Sequence, residues 1–202
     1  MKWKDYLKTW EGTQKENIFN RFVILALSIA LVIAIMVMSS KRPVAIVQPF
    51  TLKQEAWVAE SSASQNYMEA MGLAFSLLLG NVTPGSLDFI KERIEPFLSP
   101  EIYFDVVNII DDTATQIRAD RIVTRFEPRQ VLFEEETLKV FINGNSFIRS
   151  NNSDEKRVER SYEFHIEVNN YVPMIMHMDT YTGGPRTTKV LNRMKNKGKE
   201  EK

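Results

Sequence analysis

The sequence predicts an α+β chain: a single N-terminal transmembrane helix, then about three helices packed on a curved four-stranded antiparallel sheet. Three observations predict it. Residues 22–40 are apolar and uncharged. Residues 63–119 carry apolar side chains at helical spacing, punctuated by prolines. After Asp120 the period shortens to four runs of β-type alternation. Helices followed by strands in separate blocks place the helices on one face of an antiparallel sheet.

Phe22 to Ser40 is a run of 19 residues without a charge, bounded by Arg21 on one side and by Lys41 and Arg42 on the other. At ~1.5 Å per residue it makes a helix roughly 28 Å long, close to the hydrocarbon thickness of a bilayer. Lys2, Lys4, Lys8, Lys15 and Arg21 precede it, whereas Lys41, Arg42 and Lys53 follow. Basic residues flanking a span are retained on the cytoplasmic side, so residues 1–21 are expected as a cytoplasmic tail and the larger C-terminal part outside. A cleaved signal peptide is the competing reading, with Val37 and Ser39 as small residues before a cut. The charged region of about 20 residues and an apolar run longer than ~7–15 oppose it. A buried core helix would show a polar stripe, and here only Ser28 interrupts the run before its end.

Residues 41–61 are expected as an extended linker, because Pro43 and Pro49 break helices, with Val44-Ala45-Ile46-Val47 as a short strand. The α+β domain is expected over residues 62–183. Ser61-Ser62-Ala63-Ser64 supplies helix caps. The helix from Ala63 to Leu79 carries Met68, Met71, Phe75 and Leu78 as a core stripe, widened by Leu73, Ala74, Leu77 and Leu79, which predicts the central helix. Gly80 ends it. Thr83-Pro84 starts the next, with Leu87, Ile90 and Ile94 on one face and Pro96 as its stop. Ser99-Pro100-Glu101 opens a longer helix to Ala119. Ile102, Val106, Ile109 or Ile110, and Ile117 lie on one side, and Asp105, Asp111 and Asp112 largely on the other.

The four β-runs are Ile122–Phe133, Leu138–Arg149, Arg157–Val168 and Tyr171–Tyr181. Tyr162, Phe164, Ile166 and Val168 alternate with Glu163, His165 and Glu167. Asn169-Asn170 marks a tight turn. Gly144 suggests a bulge in the second strand and Pro128 an edge position for the first. Glu134-Glu135-Glu136 and Asn151–Glu155 are polar connections. Residues 184–202 read as a basic disordered tail.

Composition excludes whole classes of chemistry. The chain has no cysteine, so disulfides, thiolate nucleophiles and thiolate metal sites are absent. The net charge is zero, but residues 1–42 hold seven Lys/Arg against three Asp/Glu, residues 43–185 twelve against 21, and residues 186–202 seven against two. An acidic central domain argues against nucleic acid as its partner. The basic tail suits acidic partners or nucleic acid, and equally a solvated end.

Candidate chemistry is sparse. His165 and His177 are the only histidines. On the last hairpin, pairing Val168 with Val172 sets Glu163 opposite His177, a carboxylate–imidazole arrangement able to serve as a general base or as a plain ion pair. Pairing Val168 with Tyr171 sets Tyr162 there instead. Met174, Met176 and Met178 alternate along one strand, as core packing or as an adaptable contact surface. Glu134-Glu135-Glu136 lacks the interleaved Asp/Asn/Gly loop of a calcium site. No nucleophile elbow, phosphate loop or dinucleotide turn is present. Catalytic residues, metal ligands and cofactors are therefore expected as none.

The order of anchor, extended segment, Ser-capped apolar helix, proline-primed helices and antiparallel strands resembles the TraE family of conjugative type IV secretion systems. The carriers are Ser64-Gln65-Asn66-Tyr67-Met68, Met71 to Leu79, Gly80-Asn81-Val82-Thr83, Ser99-Pro100, and the alternation Tyr162 to Val168, over about residues 20–183. The resemblance implies a nuclear-transport-factor-2-like periplasmic domain at the bacterial inner membrane. It further implies a non-enzymatic scaffold that contacts other type IV secretion proteins, and often itself, during mating-pair formation and DNA transfer. The Asn-Pro-x-Gly dimer motif of broader relatives has no counterpart, Gly183-Gly184-Pro185 being a different pattern, so no dimer residues are carried over. The alternatives are a periplasmic ligand-binding or catalytic domain of the same fold, and a nucleic-acid contact made by the tails.

Overall fold

A computed structural model describes Trp3 and residues 10–40, 45–46, 55–151 and 153–200. Two compact units divide at Pro43. In the first, helix α1 (Trp10–Ser40) is one continuous element of 31 residues. Its stretch Glu16–Met36 is long and apolar enough to cross a membrane, and it is exposed along its length rather than packed into a core. Ser28 returns its hydroxyl to the Ile24 carbonyl at 2.9 Å, so the one polar group inside the run is satisfied within the helix. Most of the expected tail before Trp10, and Lys41 to Val44 and Val47 to Gln54 of the expected linker, lie outside the described residues.

The second unit opens with a two-residue ribbon, β1 (Ala45–Ile46) and β2 (Trp57–Val58), and continues through helix α2 (Gln65–Gly80). Ser64 is the N-cap of α2. Its hydroxyl accepts from the backbone N–H of Tyr67 and of Trp57, at 3.3 and 3.2 Å. Thr83-Pro84-Gly85-Ser86 forms a turn, and helix α3 starts three residues after that proline, at Leu87–Ile94. A short 3-10 turn at Glu95–Phe97 follows, then helix α4 (Tyr103–Asp120), which Arg121 closes in a left-handed conformation. Lys91 to Asp111 and Arg118 to Asp88, both at 2.7 Å, tie α3 to α4 on their exposed sides.

The strands are β3 (Val123–Glu134), β4 (Lys139–Ser150), β5 (Ser153–Asn169) and β6 (Val172–Thr182), an antiparallel meander in that spatial order. The polar connection expected before β5 is shorter, since Ser153 already pairs with Ser150. The β5–β6 turn sits one residue later than Asn169-Asn170. Asn170 and Tyr171 both adopt positive φ, and Asn169 pairs with Val172.

Val140 and Ile142 of β4, Tyr162, Phe164 and Ile166 of β5, and Ile175 of β6 are buried toward the helices against Phe75, Ile94 and Leu98. Leu87 and Ile90 join Ala114 and Ile117 in a second cluster between α3 and α4. Ile110, not Ile109, packs inward. The helix that lies on the sheet does so along small residues. A Cβ on Gly72 would stand 2.9 Å from Val140, and one on Gly80 2.5 Å from Phe126, with fully buried Ser76 between them. Close backbone approach, rather than the apolar stripe alone, sets how α2 seats.

The tail expected to be disordered is instead a helix, α5 (Thr188–Glu200). Its composition lacks a core face, but its first turn is anchored from outside: Glu134 accepts from the Thr188 N–H at 2.9 Å and from its hydroxyl at 3.0 Å. A carboxylate from another element thus caps the start of the helix.

Candidate functional site

The candidate residues lie on β5 and β6, mostly on the sheet face turned away from the helices. Neither anticipated hairpin register is present. Val168 pairs with Pro173, and a bulge at Met176 shifts the pairing so that His165 lies opposite His177 and Glu163 opposite Asp179. The bulge also divides the methionines. Met178 pairs with Phe164 and packs on the core, Met174 pairs with Glu167 on the far face, and Met176 is the extra residue between them. They form no common stripe, because each bulge reverses which alternate positions face inward.

Glu163 is buried at 7% exposure. Its Oε1 meets Lys139 Nζ of β4 at 2.6 Å, and its Oε2 accepts from the Tyr181 hydroxyl of β6 at 3.2 Å. His177, half exposed, places Nε2 4.0 Å from Glu163 Oε1, outside hydrogen-bond distance. His165 points its Nε2 to Glu167 at 3.6 Å. The carboxylate is therefore held by a cation and a phenol while the imidazole stands off, which is the geometry of a buried charge kept satisfied.

Tyr181 completes this arrangement. Its oxygen accepts from the Arg186 backbone N–H at 2.9 Å, and the Arg186 guanidinium lies 4.2 Å from the ring centre. Burial, only partly offset by that N–H and reinforced by the Glu163 charge, pushes the phenol up to about 12. Next along the face, the Gly183 carbonyl accepts from Ser161 Oγ at 2.7 Å and from Asn143 Nδ2 at 3.4 Å. Residues 183–188 thus cross the far face from β6 toward the end of β3, where Glu134 receives Thr188. Burial alone would raise the Glu134 carboxyl, but hydrogen bonds from Thr137 and Thr188 and the nearby Lys139 charge outweigh it and hold it below the usual range.

Sequence reasoning singled out Glu163 and His177 but missed Lys139, Tyr181 and the capping role of Glu134. Lys139 and Tyr181 were visible only as alternate positions on their strands. Which of them meets Glu163 depends on β4–β5 pairing and on a bulge that no turn residue announces.

The TraE family, described as TraE protein, matches residues 1–180. No curated protein matches. Among solved structures, a TraE protein in complex with 2-(2-furyl)isonicotinic acid aligns at 10% identity and a TM-score of 0.48, over 60% of this chain and 100% of that one. The VirB8 protein of Agrobacterium tumefaciens aligns at 7% identity and a TM-score of 0.44, over 60% and 95%. A TraE protein in complex with 4-(1H-pyrrol-1-yl)pyridine-2-carboxylic acid aligns at 10% identity and 0.43, over 59% and 98%. The family match begins about 20 residues earlier than the resemblance suggested and takes in the segment before the apolar helix. The chain belongs to the TraE family of type IV secretion components.

Proposed function

We propose that the protein is an inner-membrane-anchored, periplasm-facing scaffold of a conjugative type IV secretion system, making protein–protein contacts for mating-pair formation and DNA transfer. The family match, which spans the apolar helix and the domain together, carries this reading. The excess of Lys and Arg before Phe22 favours a cytoplasmic N-terminus. The engagement of Glu163 by Lys139 and Tyr181 favours a structural rather than catalytic carboxylate. The partners are other secretion components, and further copies of the chain where it self-associates.

Crosslinking in membranes of a transfer-competent strain, with partners identified by mass spectrometry, tests the role. Recovery of other secretion components supports it, and recovery of none refutes it. A reporter fused after Lys202 that is active only in the cytoplasm would overturn the topology separately.

A further inference from the structure

A second feature of the far face has no part in the Glu163 cluster. Where β3, β4 and β5 lie side by side, Arg129, Gln130, Asn143, Asn145, Arg157 and Glu159 line an open groove of about 680 Å³.

The groove is built by a bulge. Pro128 pairs with Gly144 and Gln130 with Asn143, leaving Arg129 as the extra residue of β3. Only glycine fits opposite, because a Cβ at position 144 would stand 2.2 Å from the Glu127 carbonyl oxygen and 2.8 Å from Pro128 Cα. Bulges re-aim side chains. This one brings an exposed arginine into a groove that a second exposed arginine, Arg157 of β5, also lines.

Two arginines there face one carboxylate, Glu159, whose Oε1 accepts from Asn143 Nδ2 at 3.1 Å. Among the described residues neither arginine has a carboxylate within 4.0 Å, although Arg125 nearby is paired with Glu127 and Glu155. Arg157 Nη2 donates to Asn145 Oδ1 at 3.2 Å, which steadies the guanidinium. Asn145 is itself buried at 6% exposure, and its Nδ2 has no hydrogen-bond partner among the described residues. A buried unpaired donor is rare and calls for an acceptor, whether water, an ion or a bound ligand.

We propose that this groove binds an extended acidic peptide segment of a partner protein. Arg129 and Arg157 hold a side-chain carboxylate, whose planar oxygens match the guanidinium fork. The amide of Gln130 and the unpaired Nδ2 of Asn145 take peptide groups, whereas Asn143 Nδ2 already donates to Glu159 Oε1 and Ser161 Oγ, each at 3.1 Å. Glu159 on the rim disfavours a dianion more than a monoanion, which selects carboxylate over phosphate. The identity of the partner rests on the scaffold reading; the chemistry of the groove does not.

The test uses the full chain in detergent micelles and fluorescence anisotropy with two labelled peptides, Asp-Glu-Asp-Glu and its neutral analogue Asn-Gln-Asn-Gln. The acidic peptide is expected to bind at least tenfold more tightly. The variant R129Q/R157Q is expected to lose at least tenfold in that affinity, single R129Q a smaller factor, and R186Q, outside the groove, none. Thermal melts by circular dichroism establish that the variants fold, and R129Q alters an exposed side chain only. Equal binding of both peptides, or unchanged binding by folded R129Q/R157Q, overturns the proposal. So does displacement of the peptide by inorganic phosphate at lower concentration than by acetate. A change in oligomeric state of R129Q/R157Q without any peptide binding overturns it in favour of a second copy. Peptide binding in vitro with no secretion component captured in cells leaves the groove standing while the scaffold reading fails.

Discussion

Replacing Lys139 by methionine tests whether the far-face carboxylate is a supported structural charge. The Glu163 side chain is 9% exposed, and among the described residues Lys139 supplies its only short ion pair, at 2.6 Å. Breaking a fully buried pair by removing one partner costs about 3–5 kcal/mol, because the other charge is left uncompensated. Lys139 is 31% exposed and the Tyr181 hydrogen bond survives, so water and the phenol share the burden. A cost of about 2–3 kcal/mol follows. Glu163→Gln is milder, about 1–1.5 kcal/mol, since the amide still accepts from Tyr181 and the partly exposed ammonium turns to water. The double variant K139M/E163L replaces the pair with apolar groups of similar shape but takes the acceptor from the buried Tyr181 hydroxyl, so it is expected to cost about 1–3 kcal/mol, no more than K139M alone. Urea unfolding of the full chain in detergent, followed by circular dichroism, reads all three. K139M costing no more than E163Q, or K139M/E163L being less stable than K139M alone, would refute this account of the carboxylate. The same set bears on function: a folded K139M/E163L chain that has lost transfer would point to chemistry at Glu163 rather than support.

Further outcomes follow from particular contacts. Gly144→Ala forces β3 and β4 apart at the Arg129 bulge, because the new Cβ meets backbone atoms 2.2 and 2.8 Å away. A loss of about 3 kcal/mol or more is expected, and an unchanged melting temperature would refute it. Ser99 Oγ is fully buried without a hydrogen-bond partner among the described residues, so Ser99→Ala should be neutral or stabilising by up to about 1 kcal/mol; destabilisation beyond that would show a partner for the hydroxyl. Tyr181, raised from 10.0 to about 12, is stabilised as the neutral phenol by the fold. Its contribution is fully present below pH ~10 and is lost as pH rises from about 10 to 12. Between those limits the parent chain should lose stability relative to Y181F, whereas parallel pH profiles would contradict the assignment.

The helices and strands were legible because their signals are local. Ser64, the last residue of the expected capping stretch, caps α2, which starts two residues later than expected; Leu87, Ile90 and Ile94 are all buried, and most strand ends fall within about one residue of the alternating runs. The proline-primed starts were displaced. Thr83 and Ser99 open turns, and each helix begins four residues later, at Leu87 and Tyr103. The site was much less legible, since bulges at Arg129 and Met176 decide which side chains share a face. Gly144 pointed to a bulge, but the extra residue belongs to the facing strand, where glycine admits it rather than makes it. The C-terminal helix was hidden for another reason. Residues 186–202 are polar and basic, and what anchors them is Glu134, distant in sequence and read there as part of a solvated acidic turn.

The two faces of the sheet therefore serve different ends. The helix-facing side is closed by Phe75, Ile94, Phe164 and Ile175, and substitutions there act through stability. On the far face, Gly183 and Tyr181 cover the β5–β6 side and satisfy Ser161 and Glu163, while the groove at the Arg129 bulge stays open. A site made of two exposed arginines and a few amides offers weak affinity, because charge pairs in contact with water are worth only about 0–1 kcal/mol each. Weak affinity suffices if the proposed anchor holds the chain in the plane of its partners, where effective concentrations reach ~mM and several modest contacts combine. High salt should then release a groove-bound partner long before it unfolds the domain, since screening acts on the exposed arginines and hardly on the buried core. Partner crosslinks that still form at ~1 M salt, and form equally in R129Q/R157Q, would place the contact elsewhere on the domain.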